Sequence, residues 1–356
     1  MYRLLFSCSL FLSSFAASAQ ATRFADSIQK AFHIPALAYA VVSADSVYEL
    51  HVAGVRKLGT RQYATPADRF RIGSNTKAVT GLIAAILVKD GKIKWDTRFF
   101  DLFPEMRPKA RKEYHHLTLL DLLTFRTKLF RYTYTDTEPA KDRFEGSEAR
   151  QRYQFTQWFF MHEPQPTTDS INFSNLGYIA AGLMLEKATG RSYEQLAGDL
   201  GERIGMPVAY GRPNARDSNA TCGHDASLRP EVTGNNDHKL SWLLAAGNIN
   251  CTLPAYVKFI QEHLRGMQGR SHLLSRSEFD MLLFGRSRFA VGWFHTTDTA
   301  GRHYAYNIGN PGTFLSKVYV FPGSDRAFII LTNAQTADAD EGTDLLYTGL
   351  CRIYLH

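Results

Sequence analysis

Phe70-Arg71-Ile72-Gly73-Ser74-Asn75-Thr76-Lys77 leads into an apolar stretch that runs through Leu82-Ile83-Ala84-Ala85-Ile86-Leu87-Val88-Lys89 and stops at Asp90-Gly91. The long apolar face and the glycine stop predict a helix from Ser74 to Lys89. Ser74 and Lys77 are three residues apart, so both fall on one face of it. Ser74 is expected in the first turn, where free N–H groups and the positive helix end favour developing negative charge. A serine hydroxyl is a poor nucleophile at its own pKa. A neighbouring lysine kept neutral by burial or by other cations can take its proton, so Ser74 and Lys77 form a candidate acyl-transfer pair with Lys77 as base. Spacing alone does not establish the pair. Ser27-Ile28-Gln29-Lys30 has the same spacing and reads as surface helix, and a serine at position 74 can simply cap a helix.

Working outward, Phe24 to Phe32 has helical spacing, and Ala36 to Val42 with Val47 to Val52 reads as an antiparallel hairpin. Leu117 to Thr124, Gly177 to Thr189 and Leu253 to Leu264 are predicted helices. After Arg288 the character changes. Phe289 to Thr296, His303 to Ile308, Thr313 to Phe321 and Ala327 to Thr332 read as strands, joined by turns at Asn310-Pro311-Gly312 and Pro322-Gly323-Ser324. Asp340 to Ile353 can form a closing helix. Strands that follow one another across short turns favour an antiparallel sheet. The expected fold is therefore α/β of the α+β kind: an antiparallel sheet flanked by helices, built from about residues 20–95 and 285–356. A mostly helical region, about 96–284, is inserted between them. The main domain is expected over residues 20–333, with a helix over 334–356 packing on the sheet.

Composition excludes several classes. The 356 residues are 44% hydrophobic and 21% charged, with 26 Gly and 13 Pro, which is ordinary for a globular chain and not for a disordered, collagenous or coiled-coil one. A net charge of +7 makes no case for nucleic acid. Arg3, the apolar run Leu4 to Phe15 and Ala17-Ser18-Ala19 together read as a secretory signal peptide over residues 1–19, cut before Gln20. The run is shorter than the roughly 20 residues that span a bilayer, so no stable span is expected after its removal, and the expected location is the periplasm or outside the cell. Without Cys8 three cysteines remain, Cys222, Cys251 and Cys351. At least one is unpaired, and a Cys222–Cys251 bridge is compatible with export. No zinc spacing is visible, so no metal and no cofactor are expected.

Further landmarks follow in order: Leu87-Val88-Lys89-Asp90-Gly91-Lys92-Ile93, Thr118-Leu119-Leu120-Asp121-Leu122-Leu123-Thr124, Ile171-Asn172-Phe173-Ser174-Asn175-Leu176-Gly177-Tyr178, Val291-Gly292-Trp293, Asn307-Ile308-Gly309 through Ser316, and Leu331-Thr332-Asn333. With the Ser74 segment, this series resembles the class C beta-lactamase and penicillin-binding-protein-like serine hydrolases from about Ala31 to Asn333. The resemblance implies Ser74 as nucleophile and Lys77 as the residue that helps deprotonate it. It also implies Asn175 as a contact for a substrate carbonyl or for Lys77, and the Ser74 and Asn310 backbone N–H groups as an oxyanion hole. Asn307, Gly309 and Phe173 fall at its substrate-binding positions.

Two positions depart from the family pattern. Phe173 stands where a Tyr normally shuttles protons, and Asn307 stands where a Lys, His or Trp normally begins the third motif. The adjacent Ser174 is a poor substitute for that Tyr, because neighbouring residues point different ways. Tyr132 and Tyr134 lie in the altered segment after Phe125-Arg126-Thr127-Lys128. The favoured reading is an exported serine hydrolase that forms an acyl-enzyme on Ser74. Its substrate is an ester, amide or peptide, such as a cell-wall fragment, and it works as an esterase or peptidase rather than an efficient beta-lactamase. The alternative is a non-catalytic binding protein that keeps the cleft. A monomer is expected.

Overall fold

The computed structural model describes residues 18–166, 169, 171–232 and 241–355. The signal peptide expected over residues 1–19 lies almost wholly outside the described residues. The described part opens with a helix, α1, over residues 18–31.

The main sheet has six strands in the order β2-β1-β9-β8-β7-β6, and every neighbouring pair is antiparallel. The strands are β1 (Ala36–Val42), β2 (Val47–Gly54), β6 (Phe294–Thr297), β7 (His303–Gly309), β8 (Leu315–Phe321) and β9 (Arg326–Thr332). The first hairpin thus joins the closing strands, as the sequence predicts. β1 is buried along its whole length because both faces of the sheet are covered. Its alternate residues serve two cores. Leu37, Tyr39 and Val41 pack with Ala21, Ala25 and Ile28 of α1 and with Leu346 and Leu350 of the closing helix α11 (Ala337–Tyr354). Ala38, Ala40 and Val42 face the larger core. Their small side chains let α9 (Leu253–Met267) lie against β1.

The helical region carries α2 (Thr76–Lys89), α3 (Phe99–Leu102), α4 (Leu119–Leu123), α5 (Glu148–Phe160), α6 (Asn175–Thr189), α7 (Tyr193–Ile204), α8 (Leu244–Gly247) and α10 (Arg276–Phe284). Thr118 and Asp121 cap α4 reciprocally. Gly177 lets α6 approach α4 closely, since a Cβ there would lie 2.5 Å from the Leu122 carbonyl oxygen.

Several expectations change. A second, three-stranded sheet joins β3 (Arg69–Arg71), β5 (Ile249–Thr252) and β4 (Ala209–Tyr210) in the order β3-β5-β4. These strands of two to four residues are too short for a periodic signal. The strand expected over Phe289 to Thr296 begins only at Phe294. Before it the chain makes a tight turn in which the Ala290 N–H donates to the Trp293 carbonyl at 2.8 Å. Cys222 and Cys251 are not bridged: both thiols are free and buried, and burial pushes the Cys251 pKa up to about 12. Among the described residues no helix is long and apolar enough to cross a membrane.

Candidate active site

The chain leaves β3 at Arg71, makes a single 3-10 turn over Gly73–Asn75, and enters α2 at Thr76. Ser74 therefore sits in the turn immediately before α2, not inside its first turn. The turn is held from both sides. Asn75 Nδ2 donates to Ser316 Oγ of β8 at 2.6 Å, and the Ile249 N–H donates to Thr76 Oγ1 at 3.2 Å. Lys77 is only 1% exposed. Its Nζ lies 2.9 Å from Ser74 Oγ, 2.7 Å from Asn175 Oδ1 and 2.7 Å from the Ala246 carbonyl oxygen. The aromatic rings of Phe173 and Tyr178 flank it at 5.6 and 5.5 Å. Burial disfavours the charged amine and lowers its pKa to about 7.

This environment orients the amine as well as neutralising it. A neutral lysine has two N–H groups and one lone pair. The Asn175 and Ala246 oxygens can only accept, so they take the two N–H groups. The lone pair is left for the third neighbour, the Ser74 hydroxyl. The same three positions suit the ammonium ion once a proton has moved.

On the other side of Ser74, β7 ends against the turn. A Cβ on Gly309 would lie 1.9 Å from the Ile72 carbonyl oxygen and 3.1 Å from the Ser74 nitrogen, so only glycine fits there. Gly73 has a φ of +51°, and a Cβ on it would meet the Asn310 nitrogen at 3.0 Å. These contacts bring the backbone N–H groups of Ser74 and Asn310 to the same edge of the cleft. Neither donates to an acceptor among the described residues. Two unused N–H groups beside a hydroxyl form an arrangement that can receive a carbonyl oxygen. The cleft is lined by Arg71, Ser74, Tyr134, Asn175, Gly247 and Asn310.

The sequence profile of the family described as Beta-lactamase matches residues 22–349. The chain belongs to the beta-lactamase family. It is thereby a relative of the penicillin-binding-protein-like serine hydrolases. It is 25% identical over 331 residues to penicillin-binding protein 4 of Amycolatopsis lactamdurans, covering 88% of this chain and 84% of that one. Among solved structures it resembles the D-alanine carboxypeptidase AmpC from Burkholderia cenocepacia, with a TM-score of 0.70 at 18% identity, covering 92% of this chain and 97% of that one. The class C beta lactamase from Rhodobacter sphaeroides gives a TM-score of 0.72 at 18% identity, covering 94% and 99%. At such identities these two structures speak for the fold.

The positions where this beta-lactamase family member departs from the motif pattern have distinct surroundings. Phe173 is 40% exposed above Lys77 and packs on Phe125 and Phe294. Ser174 turns away, its Oγ donating to the Phe130 carbonyl at 2.7 Å. The hydroxyl of the buried Tyr178 donates to the Leu123 carbonyl at 2.7 Å. Asn307 is 2% exposed, and its Nδ2 donates to the Gly292 carbonyl at 2.5 Å and the Ser74 carbonyl at 3.5 Å. It braces the site from below, and its amide group is not presented to the cleft mouth. Tyr132 packs into the aromatic core against Phe155, whereas Tyr134 reaches the cleft wall and lies against Gly312. Burial raises the Tyr134 phenol pKa and the Arg71 charge opposes that shift.

Three contributors have roles that the sequence does not spell out, although Arg71 and Gly292 lie within its landmarks. The Ala246 carbonyl belongs to a one-turn helix far along the chain. Gly292, with φ +89°, lets its turn press on Lys77, since a Cβ would sit 2.7 Å from the Lys77 carbonyl oxygen. Arg71, 2% exposed, donates to the Pro311 carbonyl at 3.2 Å and so ties β3 to the turn that carries Asn310.

Proposed function

We propose that the protein is a serine acyl hydrolase that works through an acyl-enzyme on Ser74. The observation that carries this reading is the amine of Lys77, buried, held near pKa 7 and aimed at Ser74 Oγ by two fixed acceptors. Ser74 Oγ attacks the substrate carbonyl carbon as its proton passes to Lys77 Nζ. The carbonyl oxygen becomes an oxyanion between the Ser74 and Asn310 N–H groups. When the tetrahedral adduct collapses, the bond to the leaving group breaks and the Lys77 ammonium returns its proton to that group. Water then repeats the sequence with Lys77 as base, which releases the acid and restores Ser74. Asn175 keeps Lys77 in register throughout.

The substrate class is an ester, amide or peptide, with a cell-wall fragment one candidate. Phe173 offers no hydroxyl to the leaving group, so Lys77 handles every proton and esters are favoured over amides and beta-lactams. The signal peptide expected over residues 1–19 would place the protein in the periplasm or outside the cell. A second reading, a binding protein that uses the cleft without turnover, is favoured by one observation: among the described residues Lys77 is the one titratable side chain hydrogen-bonded to Ser74. Hydrolysis of a panel of chromogenic esters by wild type and Ser74→Ala separates the two. Turnover lost in Ser74→Ala supports the hydrolase. No turnover in wild type, with substrate binding intact, supports the binding protein.

A further inference from the structure

A second groove, of about 640 Å3, lies away from Ser74 and is lined by residues that include Arg276, Asp280 and Phe284 of α10 and His303 of β7. His303 lines it and contacts His295 of β6. The strand register pairs His295 with Ala305 and His303 with Thr297, so the two histidines are diagonal neighbours on one face. His295 Nδ1 and His303 Nε2 are 3.1 Å apart, and His295 Nε2 is 2.7 Å from the Arg286 carbonyl oxygen.

We propose that His295 and His303 form a two-histidine metal site that takes a divalent first-row ion such as Cu(II) or Zn(II), with water completing the coordination. A carbonyl oxygen can only accept, so His295 Nε2 carries the proton and its Nδ1 presents a lone pair toward His303. A metal-bound histidine ordinarily has this support, its second nitrogen donating to a carbonyl that fixes tautomer and ring orientation. The Phe284 ring packs against both imidazoles, with centroids 5.6 Å from His295 and 4.3 Å from His303, which restricts both rings before any ion arrives.

The spacing suits the ion. With metal–nitrogen bonds of about 2.05 Å, two nitrogens stand about 2.9 Å apart at a right angle and about 3.3 Å apart in a tetrahedron. The observed 3.1 Å lies between these values, so the separation suits an ion, and binding turns each ring so that the two nitrogens, aimed at one another in the hydrogen-bonded pair, converge on it. Without the ion, His303 Nε2–H donates to His295 Nδ1. Binding moves that proton to His303 Nδ1 through solvent, so a neutral pair releases no net proton. Among the described residues no group of three or more His, Cys, Asp or Glu could hold a metal, so two protein ligands and an open groove define the class of site. Its effect is to staple the edge strand β6 to β7. Phe294 of β6 stacks on Phe173, so the staple also stiffens the aromatic wall beside Lys77.

The test is Cu(II) titration of tag-free protein, read by calorimetry and electron paramagnetic resonance, with His303→Gln and His295→Gln beside wild type. One Cu(II) bound through two nitrogens is expected in wild type. Affinity should fall at least about tenfold in each variant, with the metal-free melting temperature of His303→Gln unchanged. Zn(II) should raise the wild-type melting temperature, reversibly with EDTA, and not that of His303→Gln. Equal affinity in all three proteins, or a single-nitrogen Cu(II) signal in wild type, would overturn the proposal and leave only a hydrogen-bonded pair.

Discussion

The buried amine gives the sharpest expectation, a pH profile. If Lys77 is the base, the neutral amine is the active form, and its pKa of about 7 sets the midpoint. The neutral fraction rises from about one in eleven at pH 6 to about ten in eleven at pH 8, a tenfold gain. An ordinary lysine of pKa near 10.4 would be neutral in only about one molecule in 2,500 at pH 7, so burial raises the active fraction there about a thousandfold. The assay is kcat/KM for a chromogenic ester between pH 5.5 and 9, corrected for spontaneous hydrolysis. A single rising limb with its midpoint near 7 is expected. The same burial has a stability signature. The folded pKa is lowered, so between pH 7 and about 10.5 the unfolded chain holds a proton that the folded chain lacks. Stability therefore rises with pH through that window, by an amount on the order of 5 kcal/mol from this group alone. Lys77→Met should flatten that rise in denaturant melts. A midpoint above pH 9, or equal pH slopes for wild type and Lys77→Met, would refute the claim that burial holds this amine neutral.

Other expectations follow from single contacts. Phe173→Tyr places a phenol above Lys77 and should raise ester hydrolysis about tenfold or more; an unchanged rate, with Ser74→Ala also neutral, would contradict chemistry at Ser74. Gly309→Ala forces a Cβ to within 1.9 Å of the Ile72 carbonyl oxygen and must push β7 away from the turn. Hydrolysis should fall about a hundredfold with a lower melting temperature, and wild-type kinetics would show that the close approach is dispensable. Asn307→Leu leaves the buried Gly292 carbonyl without its donor. A loss of about 1–3 kcal/mol is expected in denaturant titration, and an unchanged midpoint would remove the bracing role of Asn307.

The antiparallel sheet is legible in the sequence because its strands are apolar runs separated by turn residues, and Ala36–Val42 reads as a strand whichever core it faces. The family is legible because Ser74 and Lys77 sit inside an ordered series of landmarks, where spacing alone does not separate them from Ser27 and Lys30. Pieces that depend on tertiary approach are not legible. β3, β4 and β5 are too short to show periodicity, yet their pairing sets the Ile249 N–H on Thr76 and brings the α8 segment to Lys77. The Ala246 contribution is a backbone oxygen, which any residue type supplies. The apolar run from Phe289 looks continuous, but the left-handed backbone of Gly292 breaks it into a turn against α2. His295 and His303 are separated by a hairpin, and only the strand register makes them neighbours.

The most direct measurement is intact-mass analysis of the protein after treatment with a fluorophosphonate, with the modified peptide then sequenced. Wild type should gain one adduct, on the Ser74 oxygen, faster at pH 8 than at pH 6. Ser74→Ala should gain none, and Lys77→Met should react at least about a thousandfold more slowly. A folded wild-type sample that takes no adduct from several such reagents, or takes it on another residue, would contradict the assignment of Ser74 as a nucleophile activated by Lys77.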